Sequence, residues 1–282
     1  MSSISILIVL YNKKISQSKT LQTLAGHNLS SISLRVINNG PEFIKPEGEL
    51  WDNLTSRIDK IEFYNRLENA PLSQLYNQFI SENKSFYYVI FDDDTDVTNY
   101  KFGNLISLNA DLIIPRIYSV DDNSFYYPIE QKEVVASERS VDATKVISIS
   151  SGLALSSKFI KKFLKFYNTV FDERFVLYGI DTSFFLRLHE ISKHQEIDAI
   201  CSFVLKHSLS RANKNISKFR EYERIYDAAL TAKYYPNFMA KSEIVKIFLY
   251  YMYKFKFIHA YKLVNCYMTG RHPRAKNNGN CL

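Results

Sequence analysis

The run Phe86–Asp96, FYYVIFDDDTD, decides how this chain is read. A six-residue apolar stretch leads straight into Asp92, Asp93 and Asp94. An uninterrupted apolar run of strand length has no wet face, so it reads as a strand covered on both sides, as in a parallel sheet. Adjacent carboxylates repel one another, and no generic fold requires three of them there. In open α/β sheets ligands bind at the carboxyl ends of strands, where these side chains emerge. Hard carboxylate oxygens at that point suit Mg²⁺ or Mn²⁺, and Mg²⁺ commonly completes its shell with substrate phosphates. By spacing alone the triplet reads equally well as a solvated turn ahead of a helix, since Asp and Thr favour turns and N-caps.

Outward from this strand the same grammar repeats. Ser5–Leu10, Leu34–Ile37, Ile61–Tyr64 and Leu112–Ile117 are further apolar or β-branched runs, and Val146–Leu155 and Ile197–Leu205 are strand candidates later in the chain. Between them lie helical patterns. Pro71–Asn83 has proline at its first turn and Leu72, Leu75, Tyr76 and Phe79 on one face. Lys158–Phe166 and Asp181–Lys193 read as helices, and from Asn215 onward the pattern is helical. Strands alternating with helices predict an α/β fold with a mostly parallel sheet flanked on both faces. With only 8 Gly and 7 Pro and no repeat, no flexible hinge is visible; a soft boundary near residue 210 would divide 1–210 from a helical region 211–282.

The 282 residues, 46% hydrophobic and 15% aromatic, exclude a disordered chain and supply a large core. Cys201, Cys266 and Cys281 lack metal-ligand spacing, which favours a reducing compartment. Charged residues interrupt every long apolar stretch, so no spanning helix is expected. Met1–Leu10 carries no basic segment, so a secretory signal is not expected either, and the expectation is a cytoplasmic protein. The net charge of +7 is unevenly spread: residues 211–282 hold 14 Lys and Arg against 4 Asp and Glu, while the rest leans acidic. That distribution argues against a nucleic-acid-binding body and for a tail that meets an anionic surface.

Six segments in one order carry a family resemblance: ILIVLYN, VINNG, NAPLSQLYN, VIFDDD, SGLALSSKFI with FDERFVLYGIDTSFFLRL, and VLKHSLS. Over roughly residues 4–210 the chain resembles the family-2 glycosyltransferases, inverting nucleotide-sugar enzymes of GT-A fold, including those of bacterial surface-polysaccharide (O-antigen and capsule) synthesis. It departs from their pattern in having Asn38 for the usual aspartate, Pro71 for glycine and Ile180 for glutamate. The resemblance implies a nucleotide-sugar donor, a saccharide acceptor carried on a lipid, and Mn²⁺ or Mg²⁺ as cofactor. It makes Asp94 the metal ligand, with Asp92 sharing the metal or holding the ribose, Asp93 reaching ribose or donor sugar, and His207 contacting metal or diphosphate. Asn69 and Asn77 match the family's paired asparagines, which the resemblance makes contacts of the nucleotide-sugar donor.

Tyr11 and Asn12, with Asn38 and Asn39, would form floor and rim for base and ribose, though Asn-Asn-Gly is also a turn signal. Inversion needs a base on the acceptor side, and the resemblance makes it Asp181. Its place at a helix start favours the ionised form and equally suits an ordinary N-cap. Arg187 and Asp172–Arg174 read as a structural ion-pair set. From Lys241 to Lys262, Ile244, Ile247, Phe248, Tyr251, Phe255 and Ile258 form one helical face for packing, while Tyr250, Tyr253 and Phe257 lie among lysines on the other. That second face suits peripheral contact with an anionic bilayer, on the inner face of the cell membrane. The rival readings are a metal-dependent nucleotidyltransferase and an RNA-binding protein using the basic tail.

Overall fold

A computed structural model describes residues 3–206, 217–239 and 241–275. The chain opens with β1 (Ile4–Leu10), α1 (Lys19–Leu24), β2 (Ile32–Asn38), α2 (Glu49–Thr55), β3 (Lys60–Asn65), α3 (Leu72–Glu82) and β4 (Tyr87–Asp92). Then come α4 (Asn104–Leu108), β5 (Leu112–Ser119), β6 (Ser124–Tyr127), β7 (Ile129–Glu130), β8 (Glu133–Val134), β9 (Arg139–Ser140) and β10 (Ala154–Ser156). The remainder is α5 (Ser157–Phe163), α6 (Ile180–Ser192), β11 (Ala199–Lys206), α7 (Lys218–Tyr234), α8 (Lys241–Tyr253) and α9 (Phe257–Thr269).

The main sheet runs β3-β2-β1-β4-β10-β5-β11-β9, with β6 beside β5. The β3-β2-β1-β4 half and the β5-β11 pair are parallel; β10 inserts antiparallel between β4 and β5. Every residue of β1 and β2 is buried, so these runs show no polar alternation. Their alternate side chains feed two cores. Ile6, Ile8 and Leu10 pack towards α1 and α2, while Leu7 and Val9 join a cluster with α3, α5, α6 and α7. The expected mixed α/β architecture with a mostly parallel sheet is what forms. Ile225, Ala229 and Leu230 of α7 and Leu263 of α9 belong to the second of these cores. The expected boundary at 210 falls outside the described residues.

Three local expectations are corrected. Val146–Leu155 is not a strand: only its end enters β10, and Ile147 makes an isolated bridge to Ile129. The segment instead crosses the strand ends, bending at Gly152 (φ +84°), where an added Cβ would lie 2.2 Å from Leu205 Cδ1. The Lys158–Phe166 helix stops at Phe163. The single helix over 241–262 is two, α8 and α9. Phe255 sits in the left-handed region (φ 55°). Glu221 of α7 binds Lys256 Nζ at 2.7 Å and His259 Nε2 at 3.0 Å, so a tertiary ion pair turns the chain where the periodicity ran on. The predicted packing face changes accordingly, for Phe255 and Ile258 are 80% and 62% exposed.

Candidate active site

β1 and β4 are parallel neighbours with Val9 opposite Asp92, and the strand order reverses between them. Such a switch point opens a crevice at the carboxyl ends of the strands. The acidic turn lies there, latched to the start of α1. Thr20 Oγ1 donates to the Asp92 carbonyl at 2.5 Å, and Ser18 Oγ to that of Asp93 at 2.9 Å. Asp92 N–H in turn donates to Ser151 Oγ at 3.1 Å, tying the 146–153 crossing to the site.

The three carboxylates separate by environment. Asp93 is turned towards β1: it ion-pairs with Lys13 and accepts the Tyr11 N–H at 3.2 Å. Burial pushes its pKa up, and the Lys13 ammonium offsets only part of that. Asp92 and Asp94 are half-buried on the same turn.

At the ends of β1 and β2 a cavity of about 380 Å³ is lined by Asn12, Lys13, Asn38, Gly40, Phe43 and Lys45, among others. Asn38 forms its floor and is itself fully committed: Nδ2 donates to Glu42 O and Asn65 Oδ1, both at 2.7 Å. Asn39, also buried, donates to Ala70 O at 3.0 Å and accepts the Ala70 N–H at 2.9 Å. It approaches Asn69 Oδ1 at 3.4 Å. Tyr11, next to Asn12 at the end of β1, is 50% exposed. Asn77 does not join this group. It clamps the 171–173 loop instead, accepting from Phe171 N at 2.9 Å and donating to Phe171 O at 2.9 Å and Glu173 Oε1 at 3.0 Å. His207 lies outside the described residues.

Asp181 occupies the first turn of α6, whose N-cap is Gly179 (φ +81°) and carries no side-chain cap bond. The N-cap account of Asp181 therefore fails. Its Oδ1 accepts the N–H of Ser150, from the crossing segment, at 3.1 Å. Burial pushes its pKa up to about 6; the Ser150 hydrogen bonds pull down, and the charges of Asp92 and Asp227 push up again. Tyr76, a buried neighbour of both Asp92 and Asp181, has its hydroxyl pushed well above the ordinary value, first by burial and then by those charges. A half-buried carboxylate held by serine and facing like charges is suited to accept a proton near neutral pH.

The helical C-terminal region contributes here as well. Asp227 of α7 has its pKa pushed up to about 6 by burial, against its bond from Thr231 Oγ1 at 3.0 Å. A Cβ on Gly179 would stand 2.2 Å from Asp227 Oδ1, so glycine is required there twice over. Lys13, Ser150, Ser151 and Asp227 are the residues sequence reasoning did not single out, and Tyr76 was read only as part of a packing face. Lys13 adjoins the Tyr11–Asn12 pair and was within reach of it. Asp227 carried no signal, being one acidic residue in a basic, helical stretch.

A cation would meet an all-oxygen donor set on the acidic turn. Among the described residues no group of three or more His, Cys, Asp or Glu side chains is assembled to hold a metal. Two carboxylates on one turn fit an ion whose shell is completed by phosphate oxygens, as Mg²⁺ prefers.

No protein-family model matches the chain, and no curated protein matches it. Solved structures do. TarS of S. aureus aligns at TM-score 0.53 and 9% identity, over 82% of this chain and 44% of that one, so the chain spans less than half of it. TarS residues 1–349 align at TM-score 0.53 and 11% identity, covering 95% of this chain and 90% of that one. The same fragment in complex with UDP-GlcNAc aligns at TM-score 0.50 and 9% identity, over 81% and 66%. At these identities the likeness concerns the fold, which is GT-A-like.

Proposed function

We propose that this chain is an inverting glycosyltransferase that moves a sugar from a nucleoside diphosphate donor to a hydroxyl of a saccharide acceptor. The observation that carries this reading is Asp181: a carboxyl with a pKa of about 6, held by Ser150 N–H, beside Ser151, which receives the N–H of Asp92, and raised in part by the charge of Asp92 itself. The likeness in fold to a protein crystallised with UDP-GlcNAc and UDP supports the choice of donor class.

In this scheme the base and ribose rest over Asn38, Asn39 and Tyr11, beside the cavity at the ends of β1 and β2. The diphosphate points to the acidic turn, where Mg²⁺ or Mn²⁺ on Asp92 and Asp94 would neutralise the charge of the departing phosphate. Lys13, through Asp93, fixes the turn against β1. The acceptor oxygen attacks the anomeric carbon from the face opposite the diphosphate; the new C–O bond forms as the bond to the phosphate oxygen breaks. The hydroxyl proton passes to Asp181. The acceptor we propose is a lipid-carried saccharide of the surface-polysaccharide type.

The test is a screen of nucleotide sugars for release of free nucleoside diphosphate with and without Mn²⁺, followed by Asp181→Asn. Transfer falls by about 10²–10⁴ while nucleotide affinity is retained. Loss of nucleotide binding instead removes Asp181 from the base role.

A further inference from the structure

The α8–α9 hairpin presents an apolar surface that the body of the protein does not cover. In α8, Leu249, Tyr250 and Tyr253 are 57%, 54% and 76% exposed; in α9, Ile258, Tyr261 and Met268 are 62%, 70% and 69% exposed. At the turn joining them, Phe255 and Phe257 are 80% and 55% exposed and meet edge to face at 6.1 Å. An exposed apolar patch of this extent marks an interaction site.

Its charge decides the occupant. Residues 241–275 carry seven Lys and Arg against one acidic residue, Glu243; Lys246 pairs with Glu243, and Lys256 and Arg274 pair with Glu221 and Glu223 of α7, which leaves the balance basic. Lys254 stands 5.4 Å from the ring of Tyr253, so a cation borders the leading aromatics, whereas Lys262 turns inward and donates to the Tyr226 hydroxyl of α7 at 3.0 Å. A second copy of the chain would bring these like charges face to face, and charged residues are depleted from the cores of protein interfaces. An anionic bilayer accepts both features: aromatic rings enter the interfacial zone and lysine stems carry their ammonium groups out to the phosphates. Each helix has 13 residues. At about 1.5 Å per residue neither reaches across a bilayer core, and among the described residues no helix is long and apolar enough to cross a membrane.

We infer that the α8–α9 hairpin is a peripheral binding surface for anionic lipid, with the Tyr253–Phe257 turn as its leading edge. The hairpin is tied to α7 at both ends. Glu221 pins the turn through Lys256 and His259, and Lys233 Nζ closes the far end of α9 by donating to Tyr267 O and Met268 O, each at 2.8 Å.

Flotation of the full chain with vesicles tests the inference. Vesicles of equal parts phosphatidylglycerol and phosphatidylcholine carry the protein, and pure phosphatidylcholine vesicles do not. A Tyr253→Ser, Phe255→Ser, Phe257→Ser triple variant lowers flotation by about tenfold or more, with an unchanged melting temperature because these side chains are exposed. In a separate variant, Phe255→Trp, emission shifts to the blue when anionic vesicles are added, against the buried Trp51 as constant background. Asp181→Asn floats like the parent, so failure of the transferase reading leaves this one standing. Absence of flotation, equal flotation of the triple variant, or a dimer that the triple variant dissolves would each overturn it.

Discussion

Two carboxylates nine residues apart, the buried Asp172 and the half-buried Asp181, are set in opposite ways. Asp172 is saturated with partners. Arg174 Nε donates to it at 2.8 Å, Arg187 Nη2 lies at 3.3 Å and the Tyr235 hydroxyl donates at 2.7 Å. Burial opposes its charge, but these bonds and the two guanidinium groups prevail, and its pKa lies below the usual value. Asp181 has one backbone N–H and one serine against burial and two like charges, and its pKa rises to about 6. Compensated burial makes a strut, whereas uncompensated burial makes a group that titrates near working pH.

Exchanging each carboxylate for its amide separates the two cases most widely. Asp181→Asn costs about 10²–10⁴ in turnover, yet raises stability at pH 7 by about 1–3 kcal/mol. The sign follows from the raised pKa. The native carboxyl contributes stability below its unfolded pKa and loses it as pH rises through about 6, so the variant's advantage vanishes near pH 4 in urea titrations. Asp172→Asn does the reverse, destabilising by about 3–5 kcal/mol because the buried Arg187 is left without its counter-charge; turnover per folded molecule stays near the parent's.

The pH profile sharpens the contrast. Turnover should fall on the acid side with an apparent pKa near 6, the value of Asp181. Asp92→Asn moves that limb to lower pH, measured on whatever activity remains, because a like charge facing Asp181 is gone. Asp227→Asn moves it the same way by less, since Asp227 is the smaller of the two contributions. An acid limb that moves with neither substitution would assign the titration to another group.

Lys13→Met has the smallest expected effect. The half-buried Asp93 loses its cation and its pKa climbs further, which loosens the latch between β1 and the acidic turn. Donor KM rises about threefold to tenfold with kcat little changed, in steady-state kinetics at saturating acceptor.

The buried strands were legible because their signal is local: SILIVL and FYYVIF are continuous apolar runs, and continuous runs have no wet face. The acidic turn was legible for the same reason, its charges being adjacent in sequence. Asn77 was read as a donor contact from the family resemblance, but a matched position does not reveal that the 171–173 loop takes its carboxamide. The 146–153 segment alternates like a strand, yet Gly152 and the three serines turn it across the sheet end, a choice made by Leu205 and Ile90 from distant strands.

By itself the sequence determined the parallel sheet, the place where carboxylates gather and the basic, aromatic character of the C-terminal region. These follow from periodicity and from charges adjacent along the chain. Only the tertiary structure decided that Asp181 titrates near pH 6, that Asp227 approaches from α7, and that the late helix folds into a hairpin at Glu221. Each depends on groups brought together from more than thirty residues away, and desolvation and pairing are properties of neighbours in space.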